Sequence, residues 1–284
     1  MDKGKRTRFL VVVGIVLVLL LVGIICTYKG GEHRETIREV MKDAVLHEDN
    51  KIYFLGIAVN PALISAYVVT AIILFIALLI RIFAVPRFKT VPGKFQSLLE
   101  LWVGYFDNLA KTNSPHLNSI LGAYVFAAGS YIFIGTVFEL FGVQGVTTEG
   151  YPIALPAPLA DINGAIGMGV FSYLFIMSGG IIANKIKGVG LTLKEFSLPI
   201  SMSFRLFGAL LSGLLVTELV YYALMLSFVL PVIVGVLFTL IHAVVQAYVL
   251  TMLTSIYYGE VSEVHEKKPK KEKKQKKSEL AAQA

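Results

Sequence analysis

Long apolar runs recur along most of this chain and restrict what it can fold into. They occupy about 9–26, 62–83, 120–141, 162–183, 199–226 and 232–258. A bilayer core about 30 Å thick takes about 20 apolar residues per helix. It offers no water to backbone N–H and C=O groups, so only helices and closed barrels cross it. With 56% hydrophobic and 16% charged residues among 284, the sequence predicts an all-α membrane protein. About five core membrane helices are expected, preceded by an additional N-terminal apolar helix or signal peptide.

The stretches between the runs divide the chain. Residues 1–27 hold a basic start, MDKGKRTR, and the first run. A retained helix and a cleaved secretory signal both fit, although GIICTYKGG shows no evident small-residue cleavage site. Residues 28–60 form a polar extracytoplasmic segment, 61–262 the membrane domain, and 263–284 a Lys-rich tail. Within 90–111, Phe95, Leu98, Leu99, Trp102 and Phe106 recur at helical spacing, which predicts an amphipathic helix on or just inside the membrane surface. The loop 142–161 is rich in Pro and Gly and joins two spans as a hairpin, and the last two runs form a second hairpin. Lys and Arg gather at 1–8, at Arg81, Arg87 and Lys89, at Lys185, Lys187 and Lys194, and in the tail. By the positive-inside rule these segments are cytoplasmic.

Charge and cysteine content exclude several function classes. The stretch 267–277, KKPKKEKKQKK, accounts for the whole net charge of +7, so the body of the protein has no basic surface for nucleic acid. The tail reads as a solvated segment, or as one drawn to anionic lipid or an acidic partner. The single cysteine, Cys26, allows no intramolecular disulfide and no thiolate cluster. No phosphate loop, zinc-ligand spacing or serine elbow is present. The sequence thus offers no soluble catalytic motif, and no cofactor is implied.

Polar residues inside the runs carry the functional information, because each must face protein or water. Arg205 stands within LPISMSFRLFGALLSGLLVTELVYYAL. A guanidinium keeps its proton under all ordinary conditions, and near a bilayer centre it costs roughly 2.5–3.5 kcal/mol on insertion scales. That points to an ion pathway or a fixed countercharge. The same run holds Glu218, and the following one holds Thr239, His242 and Gln246. His242 and Gln246 are four apart and share a helix face; a turn near 225 or 226 brings Gln246 level with Arg205. Glu218 lies about 20 Å beyond Arg205 at 1.5 Å per residue and on a largely opposite face. Asp161 and Asn163 start the fourth run, as helix caps or as the lining of an outer vestibule.

Five stretches in order resemble the a subunit of F-type ATP synthases: VPGKFQSLLELWVGYFDNL, FIGTVFELFG, PLADIN, PISMSFRLFGALLSG and VQAYVLTMLTSIYYGE. The resemblance covers roughly 55–262. It implies a non-catalytic, multi-pass subunit of a bacterial-type cell membrane, partnered by the c-ring, the b subunits and the remaining synthase subunits. It implies that protons cross through two offset half-channels and ride the ring between them. By the same resemblance Arg205 faces each passing c-subunit carboxylate, Gln246 lies near it, Asp161 and Asn163 belong to the outer half-channel, and Glu195 is a carboxylate of the cytoplasmic side.

This chain also departs from that pattern. Ala209 stands where the family usually has Asn, Leu214 where many members have a polar group, and Thr239 at a frequently ionisable position. Glu218, one turn beyond Leu214, and His242 are expected to supply the outer proton path instead. A sodium-translocating version of the same subunit, a stand-alone ion-coupled transporter and a non-transporting scaffold are the other readings.

Overall fold

A computed structural model describes residues 51–263 apart from 55, 116–117, 149, 151 and 224–229. The N-terminal apolar run, the polar stretch up to 50, the Lys-rich tail from 264 and the last hairpin's turn lie outside the described residues. The described chain is mostly helical: α1 Pro61–Leu79, α2 Lys94–Asn113, α3 Asn118–Phe138, α4 Ile162–Asn184, α5 Ile186–Lys194, α6 Ser197–Ala223 and α7 Leu230–Ser262. Four helices are long and apolar enough to cross a membrane, over Pro61–Arg87, Ser119–Phe141, Ile162–Asn184 and Gly235–Ser262. A fifth arises if α5 and the first part of α6, bent by 51°, count as one span.

Local chemistry sets the starts and stops. Asn60 caps α1 by accepting from the Ala62 N–H at 2.9 Å, and Pro61 occupies the first turn, where its missing N–H is harmless. Near the other end Pro86 cannot donate to a carbonyl one turn back. There the helix passes into a widened turn, Ile80–Ala84, and a tight one, Val85–Arg87. The side-chain amide of Gln96 then accepts from the Lys89 N–H at 3.0 Å and donates to the Lys89 carbonyl at 2.8 Å. This clamp fixes the approach to α2.

α2 packs back along α3. Trp102 Nε1 donates to Ser130 Oγ at 3.0 Å, and the Phe106 ring fills the place a side chain at Gly129 would need. Its apolar stripe divides accordingly: Phe106 and Ala110 are buried, while Phe95, Leu98 and Leu101 face outward. α7 is the central post, in contact with α3, α4 and α6. An aromatic pile joins three of these helices, with Tyr124 of α3 stacked 3.9 Å from Phe175 of α4 and Phe175 5.1 Å from Tyr258 of α7.

Two features were not expected. The loops at one end of the bundle contain antiparallel hairpins, β1 Ile52–Phe54 with β2 Ile57–Val59 and β3 Gln144–Val146 with β4 Pro152–Ala154. Ile52 and Leu155 from these hairpins form a small core with Val69 of α1 and Phe138 of α3. Among the described residues α1 otherwise has little protein around it, and nearly all of its apolar surface faces away from them. The second feature is α5, which had been read only as a basic connection. Lys185, at φ 53°, ends α4 and reverses the chain, and α5 climbs back along α4.

Candidate functional site

The reversal at Lys185 decides where the candidate residues stand. Gly188 of α5 lies against Gly180 of α4, and the Tyr173 hydroxyl donates to the Thr192 carbonyl at 3.0 Å. The same carbonyl accepts from the Glu195 N–H at 3.0 Å. Glu195 is thereby held near Tyr173, about halfway along α4, rather than at the helix's end. α6 starts from that height and crosses α4 where Gly169 meets Ser203 and the Pro199 carbonyl.

On α6 the sides are clearly divided. Leu198, Met202 and Leu206, at intervals of four, are buried. Ser201, Phe204, Arg205 and Gly208 are exposed; Arg205, three residues after Met202, stands at the border of the buried side. Phe204 is 66% exposed. Gly208 has no atom within 4 Å of where a β-carbon would lie, so packing inside this chain does not require a glycine there. Arg205 forms no ion pair or hydrogen bond with another described residue. A permanent cation therefore stands beside Phe204 on an apolar outer wall; α7 exposes apolar residues of its own, among them Leu237, Ile241 and Val245.

On α7, the His242 ring approaches Gly213, whose β-carbon would sit 3.0 Å from Nδ1. Counting along the antiparallel pair from this contact, Gln246 falls opposite Ala209, about one turn beyond Arg205. That differs from the level pairing expected of a turn near 225. Gln246 is 4% exposed, and its Oε1 is buried without a hydrogen-bond partner among the described residues, a state that costs about 1–3 kcal/mol. Thr239 is partly buried one turn before His242. Glu218 falls on α6, but its side chain is outside the described set.

The remaining pair stands elsewhere. Asp161 caps α4, its Oδ1 accepting from the N–H of Asn163 at 2.6 Å and of Gly164 at 3.3 Å. Asn163 itself is exposed. Both border a cavity of about 290 Å³ that also touches Asn60, Leu63, Ala66 and Pro158. The candidates therefore fall into three places: the Asp161 cavity, the Arg205 wall with Gln246 and His242 behind it, and the Glu195 corner. Asn60 and Tyr173 were missed by the sequence reading. The Asn-Pro helix-start pattern marked Asn60, whereas nothing local marked Tyr173. No cluster of three metal-ligating side chains occurs among the described residues.

Comparison with known proteins gives a consistent result. A family model described as ATP synthase A chain matches residues 64–259. ATP synthase subunit a of Histophilus somni (strain 2336) is 29% identical over 203 residues, covering 59% of this chain and 76% of the relative. The subunit a of Cereibacter sphaeroides (strain ATCC 17025 / ATH 2.4.3) is 27% identical over 199 residues, covering 66% and 76%. A protein of Propionigenium modestum named as ATP synthase subunit a, sodium ion specific, is 25% identical over 219 residues, covering 71% and 75%.

Proposed function

This chain belongs to the ATP synthase A chain family, and we propose that it couples proton flow to rotation by holding Arg205 against the carboxylates of a c-ring. The observation that carries this reading is the exposed arginine, on an apolar wall and without a partner among the described residues. A charged side chain in a membrane segment almost always faces the bundle interior or a water-filled cavity; one that faces outward calls for a countercharge from outside the chain. A ring helix bearing a carboxylate fits, and Ser201 and Gly208 leave room for its close approach.

A cation that never deprotonates favours the ionised carboxylate. It also blocks direct passage between the two half-channels, so ions cross only on the ring. Asp161, Asn163, Glu218, His242 and Thr239 serve the outer half-channel, and Glu195 serves the cytoplasmic one. The unpaired Gln246 oxygen is an acceptor that can orient the Arg205 guanidinium without neutralising it. ATP chemistry resides in other subunits, the b subunits hold this chain in place, and the C-terminal tail is cytoplasmic. The sodium-specific relative keeps a sodium version of the same mechanism in view; sodium dependence of ATP hydrolysis separates the two.

Purification through a tag on this chain tests the assignment. A c-ring and the soluble ATPase subunits co-purify if it is correct. Ion-coupled uptake by the lone polypeptide in liposomes contradicts it and favours a stand-alone transporter.

A further inference from the structure

Asn60 lies before the region that the family model matches, and its side chain joins two helices. Its Oδ1 caps α1 through the Ala62 N–H, while its Nδ2 donates to Oδ2 of Asp161. The other carboxylate oxygen, Oδ1, caps α4. Both oxygens of Asp161 are therefore occupied as acceptors, one toward each helix. The pair also lines the cavity of about 290 Å³ between the starts of α1 and α4. Asp161 is the single titratable group among the described residues of that lining, which otherwise comprises Asn60, Asn163 and apolar or glycine positions. This contact joins the start of α1 to α4, whereas among the described residues α1 packs chiefly on α3.

We propose that Asn60 is a positioning residue of the outer ion route, fixing the Asp161 carboxylate as a stationary anion on the cavity wall. Held from both sides, Asp161 keeps one orientation and raises the local concentration of cations at the mouth. This inference rests on the reading that the Asp161 cavity belongs to the outer half-channel.

Two substitutions separate the contact from the cap. In Asn60→Ser the hydroxyl still caps α1, because serine is as good an N-cap as asparagine, but it does not reach Asp161 with an amide donor. Asn60→Asp also keeps the cap and places a second negative charge against the first. The readout is ATP synthesis by the whole synthase complex in liposomes, as a function of outer pH at fixed inner pH. Asn60→Ser and Asp161→Asn are expected to move the midpoint to lower outer pH by roughly 0.5–1 unit, with the inner-pH dependence unchanged. Asn60→Asp is expected to move it to higher outer pH. A structural role alone lowers the rate in both Asn60 variants without shifts of opposite sign. A wild-type midpoint in both Asn60 variants, with Asp161→Asn shifted, overturns the inference and leaves the outer-route reading standing. A wild-type midpoint in Asp161→Asn overturns that reading and the inference together.

Discussion

The backbones of Gly180 and Gly188 touch: a β-carbon at Gly188 would lie 1.9 Å from the Gly180 carbonyl oxygen. Two consecutive helices approach this closely only because neither carries a side chain at the contact. Everything downstream on α5 and the beginning of α6 takes its position from it, including Glu195 and, ten residues later, Arg205.

Gly188→Val therefore forces α5 off α4. Overpacking of this kind typically costs about 1–3 kcal/mol, and here the clash is with backbone. Assembled protein in the membrane should fall sharply, as measured by immunoblot and thermal melting. Glu195→Gln leaves that contact untouched, so assembly should stay at wild-type level while ATP-driven pumping slows. Equal assembly in the two variants would show that α5 does not dock as described.

Gly208 faces open space and has no packing role within this chain. If the exposed stripe of α6 receives a ring helix, Gly208→Leu fills the approach. The variant should insert and fold normally but retain little c-ring on purification, with pumping reduced at least tenfold. Normal ring retention and pumping would mean that the partner docks elsewhere.

The helical membrane-spanning part of the architecture was legible because apolar length reports directly on bilayer crossing. Asp161 announced the start of α4 for the same kind of reason, a side-chain oxygen beside unpaired N–H groups. The fold-back of α5 was not legible. NKIKGVGLTLKE carries charge at its ends and glycines in its middle, a composition shared by an ordinary loop. What makes it a packed helix is the bare backbone of Gly180 on a different element. The level of Gln246 rested on a presumed turn near 225, whereas counting from the contact between His242 and Gly213 places it about one turn from Arg205. Arg205 could be read as functional from its cost alone, but not as outward-facing. That required the exposure of Arg205 itself, at the border of the side buried by Leu198, Met202 and Leu206.

His242 and Glu218 occupy the hairpin where Ala209 and Leu214 replace the polar residues that the resemblance leads one to expect. If these two supply the outer path, Glu218→Gln and His242→Ala should each lower ATP-driven proton pumping several-fold without loss of the assembled complex. Quenching of a pH-sensitive dye in membrane vesicles measures this. Wild-type rates in both variants would remove them from the route.

The arginine itself gives the most direct test. ATP-driven proton pumping is measured in vesicles carrying Arg205→Ala, alongside ATP hydrolysis by the same membranes. A fixed cation facing the ring predicts an assembled complex that pumps no protons. Pumping at the wild-type rate would contradict the assignment of Arg205 as the barrier between the two half-channels.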